Sequence, residues 1–597
     1  MQDFYNGNSF EAYKYFGAHL LPEGQGVVFR TFAPGAAKVA VIGDFNQFEE
    51  TFLEPVYDGN VYEVVLPKAR EGMRYKYRIY KNESEYQDHC DPYGFGMEVR
   101  PGSCSVIRDL SDYEFQDEAW IAERKDSKKN PVNIYEVHLG SFRKKENGDW
   151  LTYEELAEEL VSYVKQEGYN YIEFMPLAEH PLDESWGYQN TGFFSPTARY
   201  GTAAGLKKLV DACHQNGIGV IMDCMMVCFA IDSYGLAQYD GQPLYEYPHK
   251  EVAINEWGSC NFIHSRGEVR SFLQSVANYW LEEYHFDGLR FGSIDRLIYW
   301  QGQKYRGTNG SAIDFVKRMN QGIRERFPHC ILITGNTGSF PKITKEISTG
   351  GFGFDYKWDS NWMEDILKYM AYDPQTRKKQ YYILPFSMVY FYEESIMLSF
   401  SHDEAAHRET SLFQGIYGET KEKLAQAKAM YMYMYAHPGK MLNFMGNEFG
   451  ENKVWNGKEA LSWELTQQEE FGKLQYFSQK LNELYARERS LYERDYEEEG
   501  FSWLDCQKNG NCMYAFQRRG SADSIYCVFN FDETPVQDYV LNVGETEQVQ
   551  VILSSDWECF GGSTRQENVM ITAEKKAGGN QVKLDIPAYT AVYLKRK

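Results

Sequence analysis

Four stretches set polar residues directly after apolar, strand-like runs. Asp223 follows GIGVIM, Arg290 to Ser293 follow FDGL, Thr334 to Thr337 follow ILI, and Ser401 to Glu404 follow IMLSF. Pairing Asp223 with Asp403 as acid and base for slow hydrolysis is a weak reading of these stretches, which do not themselves name a reaction. Two further stretches carry weaker chemistry. Cys224 and Cys228 flank three apolar residues in CMMVC, a poor match to a metal or redox C-x-x-C, and no His cluster stands nearby in sequence. They read as buried or spectator thiols. The turn TGNTGS at 334–339 lacks the lysine and the spacing of a phosphate-binding loop.

These residues have to be positioned by elements, and the chain is long enough for several sets. Its 597 residues exceed one compact core, so two to four domains are expected. Residues 1–107 hold short alternating runs (VVFRTFA, KVAVIGDF, VYEVVLP, YKYRIY) punctuated by Gly, Pro and Asn, the pattern of a β-sandwich. Across 108–497, apolar runs (NIYEVHLG, YNYIEFMPL, GIGVIMDC, FDGLRF, CILITG, IMLSFSH) alternate with helical stretches such as TYEELAEELVSYVKQEG and SAIDFVKRMNQGIRERFP. Repeated strand-then-helix implies parallel strands, and this many favour a (β/α)8 TIM barrel over an open sheet. Residues 498–597 return to strand patterns (NCMYAFQRR, SIYCVFNF, QVQVILSS, AVYLK) and read as a second, smaller β-sandwich, with YEEEG before it as a charged connector. The expected fold is multidomain α/β: a central barrel flanked by N-terminal and C-terminal β-sandwiches. In such a barrel chemistry sits where strands end, which is where the four polar stretches fall. This logic supplies a location and no reaction.

Composition narrows the partners. A net charge of -24 disfavours nucleic acid and anionic membranes, which need a basic face, and does not penalise a neutral sugar polymer. The first twenty residues lack a basic start, an apolar block and a small-residue cleavage site, and no run of eighteen apolar residues occurs. The 11 cysteines follow no disulfide-rich spacing. A cytoplasmic protein without a membrane span is expected. Aromatics reach 16%, most of them expected in cores, although saccharide sites also use aromatic faces.

At the strand ends the chain resembles the 1,4-α-glucan (glycogen) branching enzymes of the α-amylase superfamily, glycoside hydrolase family 13. VVFRTFAPGAAKVAVIGDFNQFEE resembles that family's N-terminal carbohydrate-binding module. YEVHLGSFR, WGYQNTGFFSPTARYGT, LAQYDGQPLYE, GFDYKWD, SHDEAAH and AHPGKMLNFMGNEFGE follow in the family's order over nearly the whole chain. The resemblance implies a retaining double displacement without metal or cofactor. In it an Asp after strand four attacks the anomeric carbon, a Glu after strand five protonates the leaving oxygen, and an Asp after strand seven holds the distorted sugar. The first two carboxylates must flank the bond at about 5–5.5 Å from each other.

Residue by residue, the resemblance also marks departures. The family's approximate D-G-L-R-V-D-A-V is DGLRFGSI here, so Arg290 keeps its place and the nucleophile position is Gly292. ITGNTGSFP puts Gly335 at the acid/base position, with Asn336 beside it. The strand-three block is DCMMVCF, which retains Asp223 and has Cys228 where the family has a sugar-binding His. His402 and Asp403 match the strand-seven block. Tyr188, Asp223, Arg290, His402 and Asp403 are therefore the expected glucan-binding set, with Asp403 as the retained stabilising carboxylate and Tyr188 as a stacking platform or as packing under its loop. Phe48 stands where the module usually has Trp, either as a weakened platform or as sandwich core.

The expected function is a catalytically inactive pseudoenzyme of glycogen or starch metabolism that binds α-glucan (glycogen, amylose or maltooligosaccharide). Two alternatives stay open. One is active branching or weak glucan hydrolysis using other residues, with Asp287 and Asp295 the nearest carboxylates in sequence. The other is a protein-interaction scaffold for other glycogen-metabolism enzymes.

Overall fold

The structure, a computed structural model, describes residues 1–335, 337–506 and 510–597. Among them, eight parallel strands close into a barrel in sequential order. We label them β1 (Asn133–Val137), β2 (Tyr171–Phe174), β3 (Gly219–Cys224), β4 (Gly288–Phe291), β5 (Ile331–Thr334), β6 (Tyr356–Trp358), β7 (Ile396–Phe400) and β8 (Lys440–Phe444). Every residue of β3, β4, β5, β7 and β8 is buried, as expected for strands covered on both faces.

Helices follow most strands: α1 (Tyr153–Glu167), α2 (Ala203–Gln215), α3 (Gly267–Glu283), α4 (Gly310–Arg326), α5 (Ser360–Ala371), α6 (Thr420–Ala436) and α7 (Glu469–Arg487). Their starts follow from local chemistry. Thr202 caps α2 by accepting from the Gly205 amide, and Asn309 caps α4 by accepting from Ala312. In α2 the apolar residues Leu206, Leu209, Val210 and Cys213 recur at three- and four-residue spacing and are all buried. Between β5 and β6 the connection departs from strict alternation: among the described residues it holds only the short turn Ile347–Thr349 in place of a long helix.

Two compact units divide the chain. The first comprises Met1–Arg124, His138–Val161 and Glu173–Asp355. It contains two antiparallel sheets near the N-terminus, one built from Gly17–Leu20, Val27–Phe32, Val61–Leu66 and Glu54–Val56, the other centred on Lys38–Gly43 and Arg74–Tyr80. Alternation places Tyr75, Tyr77 and Ile79 inward. Phe48 is 38% exposed, with the Arg74 guanidinium 5.8 Å from its ring centre, which corrects its reading as sandwich core.

The second unit comprises Lys125–Val137, Ser162–Ile172 and Tyr356–Lys597. Its C-terminal part pairs a six-stranded sheet with the two-stranded ribbon Val536–Gly544 and Asn580–Ile586. Met513, Tyr526, Val528, Leu541, Val582 and Leu594 share one core there. No helix among the described residues is long and apolar enough to cross a membrane.

Candidate functional site

Strand register brings the two glycines side by side. In β3 and β4 Asp223 pairs with Arg290 and Cys224 with Phe291, and in β4 and β5 Phe291 pairs with Thr334. Gly292 and Gly335 are the next residues on β4 and β5. The Gly335 amide donates to the Phe291 carbonyl at 3.2 Å, and the Thr334 hydroxyl donates to the same oxygen at 3.3 Å.

Neither glycine has a positive φ, so nothing in the backbone requires glycine at either place. The following residue, Ser293, does lie in the left-handed region at φ +53°. A Cβ added at Gly292 would meet Arg290 Nη1 at 3.4 Å and Asp223 Oδ1 at 3.8 Å, both ordinary contacts. A Cβ added at Gly335 would lie 2.9 Å from Arg290 Nη2. The guanidinium therefore stands where a side chain at 335 would begin.

Arg290 is almost fully buried and forms a tight ion pair with Asp223, itself 1% exposed. The half-buried Tyr188 donates its hydroxyl to Asp223 Oδ2 at 2.5 Å and accepts from Arg290 Nη1 at 3.4 Å. Glu173, fully buried on β2, lies 3.9 Å from Arg290 Nε. Tyr188, Asp223, Arg290, Gly292 and Gly335 thus form one constellation in the first unit. At its centre one buried cation stands between carboxylates.

His402 and Asp403 belong to the second unit. His402 is buried, with its amide donating to Glu136 Oε2 at 2.8 Å and Nδ1 lying 2.5 Å from Glu136 Oε1. Its Nε2 is 3.3 Å from Asp403 Oδ1. The Asp403 side chain is 53% exposed, so the pair presents an accessible carboxylate beside an imidazole oriented by a buried acid. Glu404 behind it pairs with Arg408 at 3.6 Å, and burial raises its carboxyl pKa against that pairing.

Glu173 and Glu136 were missed in the sequence. Each interrupts an otherwise apolar run (YNYIEFMPL, NIYEVHLG), and a charge inside a buried strand needs a partner. That was the available signal.

The remaining sequence candidates fall elsewhere. Cys224 and Cys228 are buried free thiols, and burial pushes Cys228 up to about 11 and Cys224 well above the ordinary thiol range, which leaves both un-ionised at neutral pH. Asn336 lies outside the described residues. Asp287 precedes β4, where Trp120, His214 and the Val220 amide donate to it and Arg124 pairs with it. Along the strand it is about 16 Å from Gly292 at ~3.3 Å per residue. Asp295 opens the short helix Asp295–Ile298.

Comparison with known proteins agrees with this architecture. Residues 15–94 match carbohydrate-binding module 48 (isoamylase N-terminal domain), 136–230 and 258–531 match the alpha amylase catalytic domain, and 503–597 match the alpha amylase C-terminal all-beta domain. The 1,4-alpha-glucan branching enzyme GlgB of Halothermothrix orenii is 39% identical over 613 residues, covering 99% of this chain and 97% of that protein. The enzyme of the same name from Bacillus subtilis is 38% identical, covering 98% and 95%. Among solved structures, the pullulanase of Bacillus acidopullulyticus (TM-score 0.72, 16% identity, 97% of this chain and 75% of that one) shares the fold. So does the catalytic module of the glycogen-degrading pneumococcal virulence factor SpuA (TM-score 0.75, 14% identity, 98% and 97%). The carbohydrate-binding module, the amylase-type barrel and the C-terminal β domain follow one another along the chain, the two branching enzymes align with nearly its whole length, and the chain belongs to the 1,4-alpha-glucan branching enzyme family of glycoside hydrolase family 13.

Proposed function

We propose that this chain is a catalytically inactive, α-glucan-binding member of its family, acting in cytoplasmic glycogen or starch metabolism. The observation that carries the reading is the pair of glycines at 292 and 335, at the ends of β4 and β5. A retaining transfer forms a covalent bond from a carboxylate to the anomeric carbon, and a second carboxyl group gives its proton to the leaving oxygen. A glycine can do neither. Losing a nucleophile constellation costs about 10⁶ in rate.

Two features support abandonment of the reaction over relocation. The nearest acid before Gly292, Asp287, is bound up at the far end of β4. Arg290, which in this reading would face a nucleophile, is committed to Asp223 and occupies the approach to 335. The proposed glucan-binding residues are Tyr188, Asp223, Arg290, His402 and Asp403. Tyr188 offers a partly open ring, and Asp403 is the accessible carboxylate.

The test is incubation with amylose followed by debranching and chain-length analysis. The expected outcome is no new α-1,6 branch point. New short chains whose formation disappears in Asp403→Ala would overturn the proposal in favour of an active branching enzyme or weak hydrolase. That second reading draws on the intact His402–Asp403–Glu136 arrangement.

A further inference from the structure

The second unit contains an open groove of about 560 Å³ that shares no residue with the strand-end constellations. Val389, Tyr390, Tyr392 and Glu393, in the segment before β7, form one part of its lining, and Glu498 and Trp503 are also in it. Trp503 lies on the first strand of the C-terminal sheet, Phe501–Asp505. Its half-buried ring is braced edge-on by Phe501 at 5.1 Å and by Phe516 at 5.3 Å, so its orientation is fixed by packing. The Tyr390 hydroxyl donates to Asp359 at 3.0 Å, which steadies a second ring. Val389, in the lining, is 77% exposed and offers an apolar surface beside the rings.

The polar groups select the ligand. The charges in the lining are the exposed carboxylates of Glu393 and Glu498, and among the described residues no Lys or Arg lines it, which disfavours phosphates and other anions. Fixed aromatic faces combined with carboxylate acceptors suit a neutral chain with apolar CH faces and hydroxyl edges. The volume falls within the range of small-ligand clefts, roughly 300–1,000 Å³.

We propose that this groove is a second α-glucan site, with Trp503 as its platform and Glu393 and Glu498 accepting hydroxyl hydrogen bonds. The inference rests on the glucan-binding reading above and adds a place where binding survives without the barrel residues.

The experiment is glycogen-affinity gel electrophoresis together with a maltoheptaose titration followed by tryptophan fluorescence. It uses the full chain, Trp503→Ala, Val389→Glu and Tyr188→Ala. Val389→Glu changes an exposed residue and spares the core. Trp503→Ala and Val389→Glu are each expected to weaken binding about tenfold, the scale of one lost stacking contact. Tyr188→Ala is expected to retain measurable retardation. If the full chain is retarded and both groove variants bind as it does, the groove proposal is overturned and the glucan-binding reading stands. If the full chain is not retarded at all, both fall. A dimer that becomes monomeric in Val389→Glu with glucan affinity unchanged would identify the groove as a protein contact and also overturn the proposal.

Discussion

At the scale of single residues, the two glycines are not equivalent. Gly292 has room for a side chain and an unstrained backbone, whereas Gly335 faces the Arg290 guanidinium at 2.9 Å. Replacing Gly by Ala at a compatible φ stabilises by about 0.4–1 kcal/mol through the unfolded chain. Gly292→Ala is therefore expected to be neutral or stabilising. Gly335→Ala must push back a guanidinium that is pinned by Asp223, and forcing atoms into a packed site costs about 1–3 kcal/mol. Urea denaturation of the two variants measures the difference, and equal effects would contradict this account of Arg290. The same geometry predicts that Gly292→Asp with Gly335→Glu does not restore family-like branching, because Arg290 must first vacate its place. The glycines, Arg290, Asp223 and Tyr188 were legible in the sequence because each sits in a motif. Glu173 and Glu136 were not, since a lone Glu in an apolar run does not reveal which buried cation or imidazole it meets.

At the scale of elements, helices near β8 enclose a buried acid network. Glu448, after β8, accepts from Tyr163 at 2.6 Å and Tyr135 at 3.0 Å, while Glu167 accepts from Gln475 at 2.8 Å and Gln479 at 3.0 Å. Burial pushes Glu448 up to about 7, and burial together with the Glu448 charge pushes Glu167 up to about 8. In the unfolded chain a glutamate titrates near ~4.3. Between that pH and the raised folded values the native state holds protons that the unfolded state has released, so stability falls as pH rises through this window and levels off above about 8. Glu167→Gln keeps an acceptor for both glutamines and removes the titration. Its thermal midpoint is expected to fall less than that of the wild type between neutral and mildly alkaline pH, with a gain of roughly 2 kcal/mol or more at the alkaline end. Differential scanning calorimetry across pH checks this, and parallel curves would refute it. Strands β6 and β8 escaped the periodicity for related reasons. Tyr356–Trp358 is too short to show a period, and Lys440–Phe444 buries Lys440 and Asn443, whose partners Asp495 and Tyr169 are distant in sequence.

At the scale of the whole molecule, the second unit shows how elements far apart in sequence are tied by buried charge. Asp495 accepts from Arg518 at 2.6 Å and lies 3.0 Å from Lys440 Nζ, all three being almost completely buried, and Arg518 also donates to the Ala436 carbonyl at 2.7 Å. One carboxylate thereby links β8, the connector and the C-terminal sheet. Asp495→Ala leaves two buried cations facing each other and is expected to cost about 3–5 kcal/mol. A chemical-denaturation midpoint unchanged from the wild type would show that the ion triad carries no net linkage. The sequence by itself determined the fold class, because alternating apolar strands and amphipathic helices admit few architectures. It also determined that glycine stands at positions 292 and 335, because the identity of a residue needs no coordinates. Only the tertiary structure decided that Arg290 pairs with Asp223 and stands against residue 335, that Glu136 orients His402, and that Trp503 shares a groove with Tyr390. Each of these depends on side chains brought together from separate strands and segments, and nothing local in the chain encodes such a distance.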